Sequence, residues 1–246
     1  IYISCRYLPP FFQHKYRIVW SHIEQVKNMN QIKHKAVREM LKKFKIQRGL
    51  EIHYDGDLPA RSGMGSSSVF VVGLMNALYN FQGIKIKKNQ LAKRSIDFEQ
   101  NTLKEIVGSQ DQIAAAFGGF NKISFKKGGQ FNVQKVLTNK NKLYKLNKNL
   151  LLVYTGLSRN AHEIAKSYIT KLSTSKKNHI YDILDFVNEG EKILKYGDID
   201  DFGRLLHESW LSKKSLSKAI TNSKIDEIYN VALKNGALGG KLLGAG

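Results

Sequence analysis

Pro59-Ala60-Arg61-Ser62-Gly63-Met64-Gly65-Ser66-Ser67-Ser68 is the stretch on which the reading of this sequence turns. Before it lies Leu50 to Asp55, whose β-branched and aromatic content reads as a strand. After it, Ser66 to Phe81 is apolar nearly all round, which implies a helix buried on most sides. In such a junction Gly63 and Gly65 let the backbone take positive φ and approach an anion, while the helix start turns its free amide hydrogens and positive dipole end to the same spot. Serine hydroxyls can donate to phosphate oxygens or place an oxygen on a metal. The pattern suits a cradle for a polyphosphate. A flexible Gly/Ser connector is the alternative, but Pro59 stiffens the approach, and a connector has no need to lead straight into an apolar helix. No Lys-Ser or Lys-Thr pair follows the glycines, so the loop is not a Walker A sequence.

Two acids stand downstream of the loop. Glu99 sits among polar residues late in a helical segment, Lys88 to Glu105, and Asp111 opens a short helix, Asp111 to Phe117, after the turn Gly108-Ser109. Phosphoryl transfer needs one carboxylate to bind Mg²⁺ and another to orient or deprotonate a hydroxyl. Spacing leaves a plainer reading open for each, an ordinary helix cap for Asp111 and a solvated face for Glu99. A third segment, Gly236 to Gly246, is dense in glycine after a helix, which permits close backbone packing against another loop or a ligand.

The rest of the chain is mixed. Strands are expected at Ile1 to Leu8, Tyr16 to Trp20, Phe120 to Phe125 and Leu150 to Tyr154, and a helix over Ile32 to Phe44. Lys126 to Asn149 is rich in Lys and Asn and is expected to hold a strand, loops and a domain boundary. Beyond it helices are expected over Asn160 to Leu172, Asn178 to Leu194, Ile199 to Leu211 and Lys224 to Lys234. Asn160 with Glu163 has the spacing of a reciprocal cap. The plan is α+β, with one domain over 1–150 and a helix-rich one over 151–246.

Composition narrows the class. With 42% hydrophobic residues in 246, the chain can bury a sizeable core, so disorder is excluded as its main state. No run approaches the roughly 20 apolar residues of a membrane span, and no leader opens the sequence, so a cytoplasmic protein without a membrane partner is expected. A single cysteine, Cys5, excludes an internal disulfide and a thiolate metal cage. The net charge of +20 invites a nucleic-acid partner. However, only eight of the forty basic residues are Arg, and the densest basic stretches lack interleaved aromatics that would stack bases. Attraction of small anions is the firmer inference. Residue 1 opens inside a strand-like run and residue 246 lies within a glycine run, so the sequence is expected to be a piece of a longer protein.

Taken in order, these segments resemble the GHMP kinases, the family of galactokinase, homoserine kinase and mevalonate kinase. That family's loop runs Pro-x-x-x-Gly-Leu-Gly-Ser-Ser, and Pro59 to Ser67 matches it with Met64 in place of Leu. Gly108 to Asn121, with Gly240 to Gly246, is most similar to the branch acting on D-glycero-D-manno-heptose 7-phosphate. The resemblance implies a ribosomal-protein-like N-terminal domain and a ferredoxin-like C-terminal domain. It implies an ATP- and Mg²⁺-dependent kinase that phosphorylates O1 of a phosphorylated sugar. Pro59, Arg61, Ser62, Gly63, Met64, Gly65, Ser66 and Ser67 would hold the ATP phosphates, Ser67 and Glu99 would ligate Mg²⁺, and Asp111 would face the acceptor hydroxyl. Thr155-Gly156-Leu157-Ser158-Arg159-Asn160 lies at a strand-to-helix junction, where local chemistry suggests that Thr155 and Arg159 meet a sugar-bound phosphate. An exposed Arg beside a cap is the other reading. The rival functions are a galactokinase- or fucokinase-like enzyme and, from a different class, a basic nucleic-acid-binding module, which steep salt dependence of binding would mark.

Overall fold

The computed structural model describes residues 1–57, 63–157, 159, 164 and 177–244. The chain divides into two compact units, Ile1–Ala60 with Gly65–Gly119, and Arg61–Met64 with Phe120–Gly246.

In the first unit, strands β1 (Tyr2–Tyr7), β2 (Tyr16–Val19), β3 (Ile23–Val26) and β4 (Leu50–Asp55) form one sheet in the order β1-β4-β2-β3. β4 pairs antiparallel with β1 and parallel with β2, so the strand that leads into the glycine loop is central. Its register sets Ile52 opposite both Cys5 and Ile18, on the face that packs the core. Glu51, on the other face, is buried between Arg6 and Arg17, its cross-strand partners, and accepts from Arg17 Nη1 at 2.5 Å. Cys5 is half-buried and unpaired in any disulfide, and burial pushes its thiol up to about 11.

Helices α1 (Lys35–Lys43), α2 (Ser66–Phe81), α3 (Lys88–Asp97) and α4 (Gln110–Phe117) complete this unit. α2 buries Phe70, Val71, Val72, Leu74, Met75 and Leu78, as an all-round apolar helix should. Gly73 lets it lie against β1, since a Cβ there would sit 2.9 Å from the Ile3 Cδ1 methyl. The helix expected to run unbroken from Lys88 to Glu105 instead ends at Asp97. A wider π turn follows over Phe98–Thr102, closed by Leu103 N donating to Phe98 O at 2.9 Å.

The second unit opens with a hairpin, β5 (Asn121–Phe125) and β6 (Phe131–Lys135), followed by helices α5 (Lys140–Asn149), α6 (Lys177–Tyr196), α7 (Ile199–Ser215) and α8 (Ser223–Lys234). The hairpin and α5 belong with these helices: Lys122 pairs with Glu191 at 2.6 Å, and Lys142 Nζ donates to Gly197 O at 2.7 Å. The division therefore falls at Gly119/Phe120, thirty residues before the expected boundary. Trp210, Leu216, Ile220 and Ile225 form the core of this unit.

Two expectations fail here. Lys140–Asn149 is a helix rather than a loop, started by Asn139, whose side chain accepts from Lys142 N. Leu150 to Tyr154 carries no strand ladder among the described residues, and Leu151 is 87% exposed. An apolar run becomes a strand only where an edge is offered to it. The expected helix over Asn160 to Leu172, with its cap, lies almost wholly outside the described residues.

Candidate active site

Of the glycine loop, Pro59, Arg61 and Ser62 lie outside the described residues. Gly63 and Gly65 have φ of +75° and +68°, the left-handed region that side chains disfavour. Gly65 stands at the N-cap of α2 and offers no side chain to cap that end, which leaves the first amides of the helix without an N-cap side-chain acceptor. Ser67 is exposed there, and Ser68, one residue on, points inward and is buried.

Glu99 lies one turn beyond Ser95 and two beyond Leu91 and Ala92, on the buried face of α3, and is 0% exposed, so the solvated-face alternative falls. Glu99 Oε2 accepts from Ser68 Oγ at 2.9 Å and from the side-chain amide of Gln112, while Oε1 is buried with no protein partner among the described residues. Burial raises its pKa, the negative charges of Glu105 and Asp111 add to that, and the two hydrogen bonds oppose it.

Asp111 is the second residue of α4 and follows an N-cap, Ser109, whose side chain makes no cap bond. The Asp111 carboxylate lies against the loop. A Cβ built on Gly65 would stand 2.9 Å from Asp111 Oδ2. Burial raises the Asp111 pKa. Gln112, its neighbour in the chain, binds Glu99, and Glu99 binds Ser68 in the first turn of α2. Loop, helix start and both acids thus form one closed circuit within the first unit. Ser67, the serine expected to work with Glu99, makes no hydrogen bond with it; Ser68 does.

Gly65 is consequently doubly constrained. Gly65→Ala is expected to destabilise the fold by about 1 kcal/mol through its positive φ. The same substitution should displace the Asp111 carboxylate. Thermal unfolding with nucleotide titration should show a lower melting temperature and weaker nucleotide binding together.

Sequence reasoning missed Ser68 and Gln112, and also an aromatic group in the first unit. Trp20 follows β2, His34 caps α1 and Phe70 lies in the second turn of α2. His34 lies 4.9 Å from both Trp20 and Phe70, ring centroid to centroid. Glu24, 8% exposed, fixes this group by accepting from Trp20 Nε1 at 3.2 Å and His34 N at 3.1 Å. Burial lowers the His34 pKa, which favours a neutral imidazole. These residues come from three elements, so no local spacing announces them.

Among the described residues no three His, Cys, Asp or Glu side chains converge into a metal cage. Mg²⁺ held mainly by phosphate oxygens needs only one or two protein oxygens. The orphaned Oε1 of Glu99, beside the hydroxyl-bearing start of α2, is a donor set of that chemistry.

In the second unit the glycine-rich third segment packs where its composition suggested. A Cβ on Gly244 would lie 2.6 Å from Gly63 O, so this segment supports the first glycine of the loop. Gly239 presses on α7, where a Cβ would overlap the Gly203 carbonyl and lie 2.7 Å from His207 N. Thr155 Oγ1 accepts from Leu157 N at 3.3 Å. Arg159 does not stand free: its guanidinium donates to the carbonyls of Ala219 and, at 3.0 Å, Ile220.

Comparison with known proteins matches the description "GHMP kinases N terminal domain" over residues 30–119 and "GHMP kinases C terminal" over 191–246. The chain is 31% identical over 202 residues to the D-glycero-alpha-D-manno-heptose 7-phosphate kinase of Campylobacter jejuni, covering 79% of this chain and 58% of that one. It is 26% identical to the L-fucokinase/L-fucose-1-P guanylyltransferase of Bacteroides fragilis, over 87% of this chain and 23% of that one. The chain therefore spans little more than half of the first relative. Among solved structures, a D-glycero-D-manno-heptose 1-phosphate kinase from Bacteroides thetaiotaomicron shares the fold, with TM-score 0.77, 21% identity, and coverage of 99% of this chain and 73% of that one. Among the described residues no helix is long and apolar enough to cross a membrane.

Proposed function

The chain belongs to the GHMP kinases, and from that premise we propose that it transfers the γ-phosphate of ATP to a sugar hydroxyl, O1 of a D-glycero-D-manno-heptose 7-phosphate. The observation that carries the reading is the contact of the Asp111 carboxylate with Gly65, at the helix start where a polyphosphate would lie. Similarity to a heptose phosphate kinase supports the choice of acceptor.

The chemistry asked of these residues is mainly placement. Backbone amides at Gly65 to Ser68 would bind phosphate oxygens and, with the dipole of α2, stabilise negative charge on the transferring group. Asp111 would take a hydrogen bond from the acceptor hydroxyl and its proton as the new P–O bond forms, with ADP leaving. Burial favours this step, because a carboxylate with a raised pKa is a stronger base than an exposed one. Glu99 and a serine hydroxyl of α2 would hold Mg²⁺, which when bound supplies charge neutralisation between the phosphates.

ADP release measured with heptose 7-phosphate, galactose, fucose and mevalonate tests the reading. Turnover is expected with the heptose phosphate and little with the others. A folded protein that phosphorylates none of them would refute the kinase assignment. Preference for galactose or fucose would refute the acceptor alone.

A further inference from the structure

We propose that Lys213, Lys241 and Arg159 form a phosphate-binding subsite in the second unit, separate from the amides of the glycine loop. Ser209 and Lys213 are one turn apart on the same face of α7. Lys241 Nζ donates to Ser209 Oγ at 3.0 Å, which puts its ammonium within a turn of Lys213. Lys213 Nζ donates to Leu242 O at 2.8 Å and Gly244 O at 3.0 Å. Arg159 is tied to the 219–220 carbonyls and lies close enough to add its positive charge to the surroundings of Lys213.

Neutral oxygens are thus the protein partners of all three cations, and among the described residues none of them forms an ion pair. The neighbouring Lys214 shows the contrast, since it meets Asp226 at 2.6 Å. Gathering like charges without an anion costs electrostatic free energy that a bound dianion would return. Burial, and then the charges of Lys241 and Arg159, pull Lys213 down to about 8. Burial also lowers Lys241 and Arg159. An arginine fork with two ammonium groups is the donor set that phosphate oxygens select. Gly244, which holds Lys213, also abuts Gly63 of the loop.

The phosphate could be the ester already on the acceptor or the end of the nucleotide. That choice alone rests on the kinase reading. Binding of inorganic phosphate to the intact chain, followed by calorimetry, is expected to weaken about tenfold in Lys241→Gln and in Lys213→Gln, each losing one charged donor. Lys241 holds only a serine hydroxyl, so its variant should fold even if Lys213→Gln does not, and thermal unfolding checks this. Unchanged phosphate affinity in folded Lys241→Gln would overturn the proposal. Kinetics separate the sources: in Lys241→Gln and Arg159→Ala, a KM increase for the sugar phosphate but not for the unphosphorylated sugar assigns the ester, and one confined to ATP assigns the nucleotide. Unchanged KM for all three would also overturn it. Phosphate bound through these residues without any turnover would sink the kinase reading and leave the subsite standing.

Discussion

Asp111→Asn is expected to lower kcat by about 10³-fold, because a positioned general base contributes on the order of 10²–10⁴ and an amide cannot accept the proton. Asn keeps the size of the side chain and its contact with Gly65, so the KM for ATP should stay within about threefold, the loss falling on the transition state. The pH profile gives a second readout. Asp111 acts deprotonated and its pKa is raised, so the wild-type rate should climb with pH through that range, and the limb should vanish in the variant. Stability should move the other way. A carboxyl whose folded pKa lies above its unfolded one favours the native state at low pH and loses that advantage as pH rises through the folded value, so the neutral isostere should melt no lower than the parent at neutral pH. A kcat within tenfold of wild type would remove Asp111 from the chemistry.

Glu99→Gln is the second large effect, and its geometry makes it clean. The amide oxygen of the new side chain can still accept from Ser68 Oγ and Gln112, leaving its nitrogen where Oε1 stands without a protein partner. Packing and the two hydrogen bonds survive; the oxygen available to a cation does not. We expect kcat to drop by about 10²-fold or more, as loss of one preorganised electrostatic group does elsewhere. The Mg²⁺ concentration for half-maximal rate should rise in parallel, with the melting temperature little changed. Calorimetric Mg²⁺ titration with a non-hydrolysable ATP analogue reads binding without turnover. Undiminished Mg²⁺ affinity would assign the metal to other oxygens.

Much of this was legible before any coordinates. The glycine loop and α2 announce themselves because a strand, two glycines and a helix apolar on every side admit few arrangements, and both glycines take the positive φ that the loop demands. What the sequence hid has physical causes. β3 reads Ile-Glu-Gln-Val, and it turns Glu24 inward to bind backbone amides, so the usual alternation is disguised. α5 buries only Leu146 among lysines and asparagines, too narrow a stripe for periodicity to reveal. Leu150 to Tyr154 misleads in the opposite sense, since apolarity without a pairing edge makes no strand. In the site, Glu99 looks like a surface residue because its neighbours Asp97, Gln100 and Asn101 are polar, yet its helical register, one turn beyond Ser95 and two beyond Leu91 and Ala92, turns it inward. The same helical register determines that Ser68 rather than Ser67 meets it, a distinction a motif of three consecutive serines cannot make.

The seat of Gly244 against Gly63 reaches beyond the finished molecule. About 180 residues separate the two, so closing that contact is entropically demanding and waits for both segments to exist. As the polypeptide leaves the ribosome, the sheet and α2 can assemble first, but the bend at Gly63 has no floor until the far segment emerges. The shape of the loop would then depend on residues made about 180 positions later, and a chain lacking them would hold that bend without its support.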